Sequence, residues 1–164
     1  MKDKGKSKIR ELERRFRELG GKRRLFTEQD TSTKFIMPLL EALGWDIYDF
    51  NEVREKGYLD SSDQKKGLPD CVLFINDKPY VVIESKPMRF GNIDKEGITR
   101  KILQEAKDLD AKYAVITSFA KTKIYDSKTG SEQASFDLIG SVCEYETKFG
   151  ELWKFLSKES AVKA

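Results

Sequence analysis

Asp70, Glu84 and Lys86 stand at the ends of two apolar runs in the stretch LPDCVLFINDKPYVVIESK, residues 68 to 86. Charged side chains in such places are costly unless something uses them, because a carboxylate is rarely buried without a partner. CVLFIN and YVVIE have the β-branched and aromatic content of short buried strands, and Asn76-Asp77 between them is a turn signal. In an antiparallel hairpin, opposed residues have a constant number sum and share a face. A two-residue Asn76-Asp77 loop would set Asp70 opposite Ile83 and turn Glu84 away. A three-residue Asn76-Asp77-Lys78 loop, or an equivalent bulge, pairs Asp70 with Glu84, Val72 with Val82 and Phe74 with Tyr80. The spacing predicts that second register, and period two then puts Lys86 on the face of Glu84.

Two carboxylates brought together repel, so one raises its pKa or a cation bridges them. Hard oxygen ligands with open positions suit Mg²⁺, with Mn²⁺ an expected substitute, because such an ion keeps waters and binds phosphate oxygens. A lysine beside it can orient or deprotonate an attacking water, or stabilise charge growing on the phosphate. The expected chemistry is metal-dependent phosphodiester hydrolysis. An acid-x-Lys triplet is weak by itself in a chain that is 36% charged; Glu105-x-Lys107, Asp110-x-Lys112 and Asp126-x-Lys128 are others. The apolar strand leading into Glu84-Ser85-Lys86, and the Pro69-Asp70 that opens the neighbouring strand, set this one apart. On the residues alone, solvated strand ends are the alternative.

Pro69-Asp70 followed by Glu84-x-Lys86 after an apolar strand resembles the PD-(D/E)xK nuclease signature. TSTKFIMPLLEALGWD, residues 31 to 46, is similar to the helix before the nuclease core in type I R-subunits and type IIG restriction enzymes. KFGELWKFLSKES, residues 148 to 160, resembles the type IIG segment that leads towards the methyltransferase. The resemblance covers residues 27 to 160 and implies an α/β fold, a restriction-endonuclease-like core with a central mixed β-sheet flanked by helices in the order αβββαβ. It implies Asp70 and Glu84 as ligands of Mg²⁺, the Ser85 carbonyl as a further ligand and Lys86 as the residue that positions the hydrolytic water. An acid from the first helix often joins such sites; Glu28 is the better candidate and Glu41 the second. Glu28 read without the resemblance is a first-turn acid complementing the helix dipole. Related nucleases carry a glutamine and, four residues on, a tyrosine on the helix after ExK; Gln104 holds the first place, but Asp108 holds the second.

These groups need elements to hold them. Thr27 is a natural N-cap with Asp30 reaching back, opening a helix whose buried stripe is Phe35, Ile36, Leu39, Leu40 and Leu43; Gly44 ends it and Pro38 predicts a kink near Met37. Residues 45 to 56 are expected to hold a first strand. GYLDSSDQKKG, residues 57 to 67, reads as a mobile polar loop whose Lys65 and Lys66 would lie near bound phosphates. Beyond Lys86 a loop containing Gly91 and Gly97 leads to a helix over 98–109, with Ile98, Ile102, Leu103, Ala106 and Leu109 inward. YAVITS reads as a strand, TKIYD and QASFD as a second hairpin, and a last helix is expected over 145–158. This order gives an α/β layer with a mixed sheet.

With 164 residues the chain suggests one domain: a basic helical arm over 1–24, a core over 25–145 and, over 146–164, a C-terminal helix leading to a linker. The arm holds eleven basic and four acidic residues, net +7 against +3 for the whole chain. Ile9, Leu12, Phe16 and Leu19 make it amphipathic, so it either tracks a phosphate backbone or docks by its apolar stripe. The chain has no histidine, which excludes Ser-His-Asp triads and histidine-ligated metal nucleases; Cys71 and Cys143 fit neither a disulfide framework nor a zinc knuckle. Without a signal-like apolar segment or a membrane span, a cytoplasmic location is expected. Without a P-loop, a methyltransferase glycine motif or a base-reading motif, sequence specificity for double-stranded DNA would come from another part of the polypeptide or a partner subunit. The remaining functional readings are a catalytically silent nucleic-acid-binding module and a standalone structure-selective nuclease of the junction-resolvase type.

Overall fold

The structure is a computed structural model; it describes residues 1–56, 69–89, 93, 95–140 and 143–164. Lys65 and Lys66, and Gly91 in the loop after the ExK strand, lie outside the described residues. Six strands form one sheet in sequential order: β1 (Val53–Glu55), β2 (Cys71–Ile75), β3 (Lys78–Ser85), β4 (Tyr113–Thr117), β5 (Lys121–Asp126) and β6 (Glu132–Asp137). All neighbours are antiparallel except β3 and β4, which run parallel because helix α4 (Glu96–Asp108) carries the chain back between them. The sheet is therefore mixed, with helices on both faces.

Alternation along the strands divides the core. Leu73, Val81, Ile83 and Val115 face a large apolar layer, while Val72, Val82, Ala114 and Ile116 face a smaller one closed by Ile102 and Ala106 of α4. The large layer receives α1 (Lys2–Leu19) through Ile9, Leu12 and Phe16, so the basic arm docks on the domain rather than standing apart. Its arginines are used internally: Arg10 pairs with Glu146, Arg14 with Glu11 and Glu18, and Arg15 bonds the Lys34 carbonyl.

Thr27 caps α2 (Glu28–Thr31) in a reciprocal box with Asp30, as its side chain predicts. The break near Met37 is a π-helical turn, Ser32–Ile36, followed by α3 (Met37–Ala42). Pro38 has no N–H for the Lys34 carbonyl, and the Arg15 guanidinium takes that place at 3.0 Å.

Two expectations are corrected. The first strand spans only Val53–Glu55, because Asp46 and Asp49 accept bonds from the N–H groups of Tyr48 and Asn51 and fold the preceding residues into turns. The last helix is three: α5 (Glu144–Thr147), α6 (Phe149–Leu156) and α7 (Lys158–Lys163). Lys148 leaves helical geometry, and Ser157 is extended at ψ 146° and caps α7 through Ser160 N–H at 3.1 Å. The residues read as the approach to a linker are thus helical, with Ala161 buried. Among the described residues, no helix is long and apolar enough to cross a membrane.

Candidate active site

The β2–β3 hairpin delivers the carboxylates. Asn76 and Asp77 both take positive φ, 50° and 62°, the geometry of a two-residue type I′ turn. A two-residue turn alone would set Asp70 against Ile83. A bulge corrects this: Phe74 pairs with Pro79, Leu73 with Val81, and Tyr80 is the extra residue between. Pro79 offers no N–H to the ladder, which accounts for the irregularity there. From Leu73 onward the register is Val72 with Val82 and Cys71 with Ile83, whose continuation sets Asp70 across from Glu84. The expected pairing of Phe74 with Tyr80 is replaced, while the register at the carboxylate end is the expected one.

Asp70 and Glu84 share the parity of Val72 and Val82, so they lie over the face covered by α4. Glu84 is buried, and Lys86 Nζ lies 3.2 Å from its Oε1. Asp70 Oδ2 accepts the Ser85 N–H at 2.8 Å, which locks the end of β2 to the ExK strand. Burial pushes both carboxyls above their ordinary range; the negative charge of Asp70 adds to the rise at Glu84, and that of Glu28 to the rise at Asp70. Ser85 is itself buried, its backbone tied into the sheet opposite Thr117.

Glu28 is held near the strand ends by one side chain. Thr31, one turn later, accepts the Met88 N–H at 3.0 Å and donates to the Thr27 carbonyl at 2.9 Å, fastening the start of α2 to the loop after Lys86. Glu41 instead lines a cavity beside Lys8, Leu12 and Arg15 of α1. Gln104 is exposed on α4 and donates to Asp108 Oδ1 at 2.8 Å, so the residue in the place of the family tyrosine occupies it.

The residue of α4 that meets the carboxylate pair is Glu105. Burial pushes its carboxyl up to about 7; Lys101 counters this, and the charges of Glu84 and Asp70 add to it. Among the described residues both its oxygens are buried without a hydrogen-bond partner, the Lys101 ammonium forming an ion pair at 3.7 Å, beyond hydrogen-bond reach. The sequence did carry a sign of this. Ile98, Ile102, Glu105 and Leu109 follow the 4-3-4 spacing of one helix face, so an acid stands inside the apolar stripe. Lys56 and Lys101 were also not singled out; Lys56 donates its N–H to the Asp70 carbonyl at 3.0 Å, and its charge favours the ionised forms of Asp70 and Glu105.

The donor set suits a hard divalent cation. The charge of Asp70 raises the proton affinity of Glu84, that of Glu28 raises the proton affinity of Asp70, Glu105 has two oxygens without a hydrogen-bond partner among the described residues, and every donor is oxygen. No three of these acids bring ligand atoms within 4.8 Å of one another. Comparison with protein-family models, curated proteins and solved structures finds no match for this chain.

Proposed function

We propose that this chain is a Mg²⁺-dependent DNA endonuclease domain of the PD-(D/E)xK type, with a restriction-endonuclease-like core, working in a cytoplasmic restriction system. The observation that carries the reading is the meeting of Asp70, Glu84 and Lys86 at one end of a bulged hairpin, over a helix that adds Glu105, whose carboxylate has no hydrogen-bond partner among the described residues. A structural ion pair would satisfy its members; here burial holds all three carboxyls above their ordinary range although Lys56, Lys86 and Lys101 act against it.

Asp70 and Glu84 would hold the ion, with Glu105 and Glu28 reaching it through waters and the Ser85 carbonyl as a further ligand. The bound ion would neutralise the carboxylates, polarise the phosphate and lower the pKa of a coordinated water. Lys86, set by its 3.2 Å contact with Glu84, aims its ammonium into the cluster, where it orients the attacking water and steadies charge on the phosphate. The Ser85 N–H on Asp70 fixes which carboxylate oxygen faces the site. Lys56 and Lys101, and Lys65 and Lys66 in the segment outside the described residues, supply positive charge for the DNA backbone.

The test is cleavage of supercoiled plasmid with Mg²⁺ or Mn²⁺ and with chelator. Asp70→Ala, Glu84→Ala and Lys86→Ala are expected to abolish nicking while circular dichroism stays native. Full activity in all three would sink the proposal. Salt-sensitive DNA binding without cleavage would indicate the silent module, and selective cleavage of branched DNA by a dimer the junction-resolvase type.

A further inference from the structure

A second cluster sits far from the hairpin in the chain, where α1 meets α5. Glu13 of α1, Cys143 at the N-cap of α5 and Glu146 within α5 each offer one ligand atom, and these atoms lie within 4.8 Å of one another. Glu13 is 1% exposed. Its Oε1 accepts the Glu146 N–H at 2.7 Å, a cap on α5 supplied from another helix, while its Oε2 is buried without a conventional hydrogen-bond partner among the described residues, with the Cys143 thiol beside the carboxylate. A carboxylate needed only as a cap would not require a second oxygen shut in beside a thiol and another carboxylate.

We propose that Glu13, Cys143 and Glu146 form a binding site for a thiophilic divalent cation of the Zn²⁺ class, which clips α1 to α5. A sulfur donor with two carboxylate oxygens suits Zn²⁺ or Co²⁺ rather than Mg²⁺. Tetrahedral coordination at ordinary Zn–S and Zn–O lengths sets donors roughly 3.6 Å apart, which the trio, already within 4.8 Å, approaches. Water fills the fourth position. The surrounding arginines orient two of the ligands: Arg10 holds Glu146 by Oε1, which leaves Oε2 for the ion, and Arg17 donates to Cys143 Sγ at 3.6 Å. This site shares no residue with the Asp70–Glu84 cluster and does not depend on its activity.

The probe is Co²⁺ added to the reduced full chain, read by the thiolate-to-Co²⁺ charge-transfer band in the near ultraviolet, which oxygen-only sites do not give. The band is expected in the wild type and in the Asp70→Asn, Glu84→Gln double variant. It is expected to vanish in Cys143→Ser and to need at least tenfold more Co²⁺ in Glu13→Gln, which keeps the cap on Glu146 N–H. Zn²⁺ is expected to raise the melting temperature of the wild type and not of Cys143→Ser. Absence of the band in the wild type overturns the proposal, as does its persistence in Cys143→Ser or an unchanged affinity in Glu13→Gln. The wild-type measurement stands even if a variant fails to fold.

Discussion

Two polar clusters lie on adjoining strands, and they are built on opposite terms. At the end of β4, Thr117 Oγ1 bonds Thr122 Oγ1 at 2.7 Å, Thr122 bonds Tyr145 OH at 2.6 Å, and Tyr145 donates to the Phe119 carbonyl at 2.7 Å. Thr117 also accepts the Phe119 N–H, so each hydroxyl in the chain has partners, and the group holds Phe119 at φ 63° in a left-handed turn enclosed by Phe16, Phe35 and Tyr145. One strand away, at the end of β3, Asp70, Glu84 and Glu105 crowd carboxyl groups under α4, and two oxygens find no hydrogen-bond donor among the described residues. A satisfied neutral network stabilises a fold. An unsatisfied charged one is tolerated by it, and that is the mark of a place shaped for something that arrives from solution.

Substitutions separate the two. Glu84→Gln is expected to lower plasmid cleavage at least about a thousandfold, since on the proposed reading it removes a direct ligand, while the melting temperature holds or rises because a buried like charge is gone. Glu105→Gln has the next largest effect: the Mg²⁺ concentration for half-maximal cleavage rises about 10–100-fold, as for an outer partner of a metal ligand, with stability at pH 8 improved. A metal titration of the rate reads it directly. Tyr145→Phe does the reverse, leaving Thr122 and the Phe119 carbonyl short of a partner, at a cost of about 1–3 kcal/mol in urea unfolding with cleavage within a few-fold of wild type.

The smallest effect is on pH dependence. The Glu105 carboxyl binds its proton more tightly in the folded chain, so its contribution to stability is complete below pH 4.5 and is lost as the pH rises through about 7. Glu13 titrates over the same range in the same direction, so the Glu105 share is read as the difference between wild type and Glu105→Gln. Saturating Mg²⁺ is expected to flatten that share, which means a larger rise in melting temperature with Mg²⁺ at pH 8 than at pH 5.5. An equal rise at both would contradict the assignment of Glu105 to the site.

The carboxylate register was legible in the sequence because period two and a constant pairing sum leave few choices, although the device is a bulge at Tyr80 beside Pro79 and not a longer turn. The capping box at Thr27, the stripe of α1 and the second hairpin were legible for the same local reason. Glu105, Lys56 and Lys101 were not singled out. Their meeting depends on how the crossover helix lies on the sheet, a matter of packing at long sequence separation, though the 4-3-4 spacing held a trace of it. The division of the last helix turned on the backbone at Lys148 and Ser157, where propensity is nearly neutral and local hydrogen bonds decide.

The most direct measurement is Mg²⁺-dependent cleavage of supercoiled plasmid by wild type, Glu84→Gln and Tyr145→Phe side by side, at a temperature where circular dichroism shows all three folded. The predicted result is cleavage by wild type and Tyr145→Phe and none by Glu84→Gln. Cleavage by Glu84→Gln at the wild-type rate would contradict the account.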